Sequence, residues 1–177
     1  MEKCYVCGNA LEVIKDKPYE YTECGLPVLL LGITQYRCGS CGEEYAAIPA
    51  PEKLHKLIGL EICRSRKALL LPEEIKFLRK ELGLKAKDLA ASLGVEDATV
   101  SRWENGKQQI GEGSDRLLRA LYLSCAEETQ DRRGILEVLK SFPTQRKAVR
   151  EQRKLSLNPQ DWLCACPPSL LQLTQGR

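Results

Sequence analysis

No apolar run in these 177 residues approaches the roughly 20 needed to cross a bilayer. The longest apolar stretches, Val28–Leu31 and Leu69–Leu71, have the length of a strand and a turn. The opening Met1-Glu2-Lys3-Cys4 lacks the apolar core of a signal peptide. A membrane partner is therefore not expected, and the cytoplasm is the expected location. Histidine is nearly absent: His55 stands alone and reads as surface or core filler, not as a ligand or a base. With no phosphate loop and no acid–base pair in a pocket motif, the chain is not expected to be an enzyme. Charge of one sign is scarce too. Twenty-seven Lys and Arg against 24 Asp and Glu leave a net +3, too little to identify a nucleic-acid partner without a local motif.

Cysteine is what the chain does have, nine in all. A reducing cytosol disfavours a disulfide framework, so metal binding comes first for thiols at ligand spacing. Cys4-Tyr5-Val6-Cys7-Gly8 and Cys38-Gly39-Ser40-Cys41-Gly42 are two C-x-x-C-G knuckles. Each grips a metal with two thiolates from one tight turn, and the glycine lets backbone amides turn toward the sulfurs. Together Cys4, Cys7, Cys38 and Cys41 supply the closed tetrahedral set of one structural Zn²⁺, with no open position for catalysis. The long segment between the knuckles costs little, because loop-closure entropy grows slowly. A rubredoxin-type iron site and two separate redox pairs are the competing readings. Cys24 lies between the knuckles and reads as a small buried or surface thiol.

Composition divides the chain into 1–48, the four-cysteine module; 49–71, a linker helix; 72–126, a helical domain; and 127–177, a C-terminal extension, partly helical and then flexible. The fold class expected is α+β: a small β-rich module followed by an all-α domain of about five helices. Within the module, Tyr19–Thr22, Leu26–Leu31 and Ile33–Tyr36 read as strands, by their aromatic and β-branched content. Pro49-Ala50-Pro51 punctuates the end of the module. Leu54, Leu57, Ile58 and Ile62 repeat at helical spacing. Pro72-Glu73-Glu74 is a good helix start, with Ile75, Leu78 and Leu82 inward and Gly83 at the end. Further helices are expected at about Ala86–Leu93, Asp97–Glu104 and Ser114–Cys125, the last with Leu117, Leu118 and Leu121 inward.

The stretch from Asp88 to Gly106 carries the functional argument. Ala90 is small where two helices must cross closely, and Gly94 sits where the turn needs φ > 0. Leu89, Leu93, Val95, Val100 and Trp103 are spaced to form one small core. That leaves Asp97, Ala98, Thr99, Ser101 and Arg102 outward on a helix preceded by a tight turn, an arrangement able to lie in a DNA major groove. Arg102 is the best base reader, because its fork matches the O6/N7 edge of guanine. Asn105, Lys107 and Gln108 follow, where contacts to the DNA backbone are expected. Glu104 would repel phosphate and reads as a supporting residue. Arg116 and Arg119 have no firm assignment.

These residues resemble known families. "LAASLGVEDATVSRWENGK" is similar to the Cro/C1-type (XRE) helix-turn-helix. Two knuckles around "PYEYTECGLPVLLLGITQYRCGSCGE", followed by that helix-turn-helix, resemble the MqsA (YgiT-type) antitoxins over roughly residues 1–125. The resemblance implies structural zinc on Cys4, Cys7, Cys38 and Cys41, and Arg102 as a base-reading arginine. It also implies a homodimer joined through its C-terminal half that binds a palindromic operator in double-stranded DNA and represses its own operon. Among the antitoxins it implies, further, a small ribonuclease toxin held chiefly by the zinc module. The sequence departs from the pattern at Ala98, where a base-reading asparagine falls, and at Ala86, where a glutamine is usual. The operator sequence therefore does not carry over, and the tail beyond Ala126 suits a stand-alone regulator.

In that tail, Gly134–Leu139 reads as a short helix. Arg146, Lys147, Arg150, Arg153 and Lys154 read as a solvated basic face, with phosphate contact the sharper alternative. Cys164 and Cys166 are too close for a usual zinc pair. The expected function is a DNA-binding repressor with a structural zinc module. The alternatives are a toxin-neutralising antitoxin, and a redox or metal sensor using Cys24, Cys63, Cys125 or the Cys164/Cys166 pair.

Overall fold

The computed structural model describes residues 2–15, 17–65, 68–126 and 154–163. The chain divides into two compact units. One contains residues 1–21, 28–54 and 154–177; the other contains 22–27 and 55–153. The fold is α+β, as the sequence implied.

The first unit is built on two three-stranded sheets. Strands β1 (Leu11–Ile14), β4 (Thr34–Cys38) and β5 (Glu44–Ala47) form an antiparallel sheet in the order β1-β4-β5, with Leu11 opposite Cys38 and Tyr36 opposite Tyr45. Strands β2 (Tyr19–Tyr21) and β3 (Val28–Leu30) pair antiparallel, and β6 (Leu155–Leu157) joins β3 in parallel. β2, β3 and most of β4 are expected from the sequence; β1 and β5, which are four residues each and follow the knuckles, are not, and neither is β6. A parallel neighbour needs a long crossover, and here β4, β5 and the five helices that follow them lie between β3 and β6 in the chain. Val28, Leu30 and Leu157 are buried together in this sheet. A short helix, α6 (Pro159–Leu163), follows β6, and its Trp162 donates its indole N–H to the Pro49 carbonyl at 2.7 Å. Lys154 pairs with Glu20. The expected helix at Gly134–Leu139, the basic run through Arg153, and Cys164 and Cys166 lie outside the described residues.

Helix α1 (Pro51–Ser65) opens in the first unit, and the division falls after Leu54. The second unit holds the rest of α1 with α2 (Pro72–Glu81), α3 (Ala86–Leu93), α4 (Asp97–Glu104) and α5 (Glu112–Ala126). Helix α2 begins where Pro72 needs no N–H partner, and the Glu74 carboxylate accepts from the Leu71 N–H at 2.8 Å. The core of this unit is Leu57, Ile58, Ile62, Ile75, Phe77, Leu78, Leu89, Val100, Trp103, Ile110, Leu118 and Leu123.

Helix α5 corrects one sequence expectation. Leu117 does not face inward, being 48% exposed, and Leu121 is only half-buried, while Asp115, Leu118, Arg119, Tyr122 and Leu123 are buried. Those five fall on one face at i, i+3, i+4, i+7 and i+8, and Leu117 is out of phase. Arg119 lies in the core because every donor group is used. It bonds Asp115 at 2.8 Å, the Ile62 carbonyl at 2.6 Å and the Ala68 carbonyl at 2.9 Å. Asp115 in turn accepts from the Leu70 N–H at 2.7 Å. Across from α5, Gly59 leaves room for Tyr122. A Cβ there would lie 2.1 Å from the Tyr122 hydroxyl oxygen.

Candidate metal centre and nucleic-acid interface

Pairing of β1 with β4 decides where the cysteines go. The first knuckle turns back through a Lys3–Ala10 bridge into β1, and the second begins at the last residue of β4. With Leu11 opposite Cys38, the two turns meet at one end of the sheet. They share a hydrogen-bond pattern. The N–H groups of Cys4 and Cys38 donate to the carbonyls of Asn9 and Glu43, both at 2.8 Å. The N–H groups of Gly8 and Gly42 donate to the carbonyls of Cys4 and Cys38, both at 2.9 Å.

The four sulfurs all lie within 4.8 Å of one another. Cys4 and Cys41 are 3.6 Å apart, and Cys7 and Cys38 are 3.4 Å apart. A disulfide would bring sulfurs to about 2.05 Å, and every described cysteine is free. Four thiolates about 2.3 Å from a tetrahedral ion would stand about 3.8 Å apart, so this set fits a metal ion. Backbone donors favour the thiolate at Cys4 and Cys38, whereas at Cys41 the Glu43 amide lowers the pKa but Cys38, burial and Cys4 outweigh it and push the thiol up to about 12. Amides of Cys7 and Val6 aimed at Cys4 lower its pKa. Amides of Cys41 and Ser40 hold that of Cys38 at about 6. Asn9 offers its side-chain amide to Cys7 at 3.5 Å. Cys4 and Cys38 are buried, whereas Cys7 and Cys41 are exposed.

Three tyrosines around this site are not expected from the sequence. The rings of Tyr5 and Tyr36 lie 5.8 and 6.0 Å from that of Tyr45. The Tyr45 hydroxyl is buried, and burial, then the adjacent Cys4, raises its pKa to about 12. The signal was the pairing of Tyr36 with Tyr45 across β4 and β5, which is invisible until the sheet exists. Tyr5 and Val6, at the tip of the first knuckle, are 93% and 70% exposed.

Cys24 is half-buried and donates to the Leu26 carbonyl at 3.8 Å; burial pushes its thiol up. Cys63 is fully buried on α1, and burial pushes its thiol up to about 12. Neither belongs to the cluster.

In the second unit, α3 and α4 are joined by Gly94-Val95-Glu96. Gly94 takes φ 66°, ψ 34°, a left-handed conformation that a Cβ would strain. Its N–H reaches the Ala91 carbonyl at 3.3 Å, and the Val95 N–H reaches the Ala90 carbonyl at 3.0 Å. This double closure satisfies the last carbonyls of α3 and starts the turn. Ala90 is fully buried, as the close crossing requires, and Leu89, Leu93, Val100 and Trp103 are buried with it, whereas Val95, expected in the same core, is half-buried in the turn.

Helix α4 is then pinned from behind. Arg79 of α2 grips Glu104 with both arms of its fork, at 2.5 and 2.9 Å, and bonds the Leu84 carbonyl at 2.9 Å. Both side chains are largely buried. Glu104 is thus a structural partner, as its charge suggested. On the opposite side, Asp97, Ala98, Ser101 and Arg102 are exposed and Thr99 is half-exposed. The Arg102 guanidinium has no hydrogen bond or ion pair among the described residues. Past the helix, Lys107 and Gln108 are exposed. Asn105 spends its side-chain amide on the Ser101 carbonyl at 2.7 Å, so in this structure it caps α4. Arg116 is half-exposed near Glu112, and Arg119 is structural. His55 meets Glu81 at 2.9 Å and the edge of Phe77.

A family described as "Antitoxin component of bacterial toxin-antitoxin system, MqsA" matches residues 1–123. The chain belongs to this family. A comparison with curated proteins returned no match. The MqsA-family match takes in both knuckles, α1 to α4 and most of α5. It ends before β6 and α6, so the segment that completes the β3 sheet lies outside it. No helix among the described residues is long and apolar enough to cross a membrane.

Proposed function

We propose that this MqsA-family protein is a sequence-specific, DNA-binding transcriptional regulator, a repressor of its own operon that works in the cytoplasm as a homodimer with one structural Zn²⁺ in each chain. The observation that carries the reading is helix α4. Its inner side is fixed by Val100, Trp103 and the Arg79–Glu104 pair, while its outer side presents Arg102, whose guanidinium has no partner among the described residues. A rigid helix with polar side chains outward suits a major groove. An unengaged fork suits a guanine edge, whereas Arg79 and Arg119 are already committed inside the protein. Asp97, Ala98, Thr99 and Ser101 are the further candidates for base or sugar–phosphate contact, with Asn105, Lys107 and Gln108 for the backbone. Two such helices in a symmetric dimer would address half-sites about one helical turn apart.

Zinc is the metal this donor set favours, since four thiolates in a closed set serve a redox-silent structural ion. The role assigned to Cys4, Cys7, Cys38 and Cys41 is to hold a small unit together, metal binding supplying much of its folding free energy. Selection of bound duplexes from a random pool tests the DNA reading. Enrichment of a palindrome supports it, and no preference over competitor at physiological salt removes it.

The family match favours a second role, neutralising a toxin by protein–protein contact. The exposed Tyr5 and Val6 beside the metal centre are candidates for that surface. Co-expression with the product of the adjacent gene tests it. Rescue of growth that is lost with Tyr5→Ala/Val6→Ser supports it, and rescue by the isolated helical domain alone counts against it.

A further inference from the structure

One buried polar group beside the cysteine cluster has no partner in the chain. Tyr45 stands on β5, just past Glu43, whose carbonyl receives the Cys38 N–H. Its ring packs against those of Tyr5 and Tyr36, at 5.8 and 6.0 Å. A phenylalanine would serve that packing as well. The hydroxyl is what calls for a reason: it is shut off from solvent and closes no hydrogen bond among the described residues. Buried polar groups are nearly always paired, and a donor left alone costs about 1–3 kcal/mol. Two buried sulfurs act on this hydroxyl. Cys4 is near enough to act as a hydrogen-bond partner as well as by charge, and Cys38 acts by charge alone. A neutral thiol is a weak acceptor, whereas an ionised sulfur is a strong one.

We propose that Tyr45 is a positioning residue of the metal centre, its hydroxyl donating a hydrogen bond to the Cys4 thiolate when the four sulfurs hold their ion. The proposal rests on the reading of Cys4, Cys7, Cys38 and Cys41 as metal ligands. Solvation singles out Cys4 as the acceptor. A metal-bound thiolate keeps negative charge and lone pairs, and Cys4, only 3% exposed, has almost no water to stabilise them. Cys7 and Cys41 are exposed and have water instead. The amides of Cys7 and Val6 already serve the Cys4 sulfur from its own turn, and the phenol adds a donor from β5. Tyr5 and Tyr36 restrain the ring, so the hydroxyl is held in place. The O–H···S bond then orients the Cys4 side chain and draws charge off its sulfur, as outer partners of metal ligands do.

The test uses the full chain loaded with cadmium-113, a thiophilic ion of the same charge as zinc whose nucleus reports its ligands. The unaltered chain should bind one ion and show a cadmium resonance in the range of four-sulfur coordination. A slowly exchanging hydroxyl proton, assigned by its proximity to the Tyr45 ring protons, should couple to that nucleus through the Cys4 sulfur. Tyr45→Phe should remove the coupled proton and lower cadmium affinity about 10-fold in competition with a chelator, with the far-ultraviolet dichroism unchanged. If that variant fails to fold, the coupling in the unaltered chain still decides. The absence of a four-sulfur resonance sinks the metal reading and this proposal with it. A four-sulfur resonance without the hydroxyl coupling, or an unchanged affinity in a folded Tyr45→Phe chain, overturns this proposal and leaves the metal reading standing.

Discussion

Glu104→Ala tests whether the proposed reading helix is held in place from behind. The substitution removes the carboxylate that Arg79 grips with two hydrogen bonds, at 2.5 and 2.9 Å. The side chains of Arg79 and Glu104 are only 14% and 10% exposed, so little solvent screening softens the loss. Removing one member of a buried pair costs about 3–5 kcal/mol, mostly because the other charge is stranded. Arg79 keeps its bond to the Leu84 carbonyl and some access to water, which places the expected cost near the lower end, about 3 kcal/mol. For a domain of this size that shifts Tm by more than about 10 °C. Intrinsic helix propensity works in the other direction, because alanine is the better helix former by a few tenths of a kcal/mol. A net loss therefore has to come from the ion pair. Urea unfolding followed by the fluorescence of Trp103, the neighbouring residue, reads the change. Replacing both partners, Arg79→Met with Glu104→Leu, should recover most of the stability, since an apolar pair strands no charge. If Glu104→Ala stays within about 0.5 kcal/mol of the parent, as an ordinary surface substitution would, the reasoning fails. It fails equally if the double variant is as unstable as the single one.

Arg102→Ala should leave stability unchanged and weaken specific DNA binding by about 1–3 kcal/mol, as for one bidentate base contact; equal loss on selected and random duplexes in a fluorescence titration would show that Arg102 reads no base. Gly59→Ala should destabilise the helical unit by about 1–3 kcal/mol, because the new Cβ falls 2.1 Å from the Tyr122 hydroxyl oxygen. Adding Tyr122→Leu should return part of that loss, and strict additivity in a thermal-unfolding cycle would refute the clash. Cys38→Ser, or a strong chelator, should release the metal and abolish amide protection in β1, β4 and β5 while α2 to α5 stay protected. Full protection of the knuckles after metal loss would show that the ion is not structural.

Local chemistry made much of this protein readable in advance. The helices α2 to α4 fall within about one residue of their expected ends, because proline starts, glycine stops and the apolar period all act within a few residues of chain. The mutual spacing of the knuckle cysteines was legible for the same reason, each turn being five residues long. The outer face of α4 followed from its period once Val100 and Trp103 were taken as inward. Helix α5 is less legible. Its leucines suggest a buried face through Leu117 and Leu121, but the true face includes Asp115 and Arg119, and the burial of Arg119 depends on carbonyls of Ile62 and Ala68 about fifty residues away.

What the sequence determined by itself is the inventory: which segments are helices, which four thiols are spaced for a metal, and which helix carries a polar outer face. Tertiary structure alone decided that β1 pairs with β4 and so brings two turns 31 residues apart to one sulfur cluster. It alone brought β6 back to β3 and turned Arg119 into a core residue. The division has one cause. Helix ends and tight turns are set by interactions within a few residues, whereas strand partners, buried charges and cavities depend on contacts between distant segments, and no local pattern encodes which distant segment arrives.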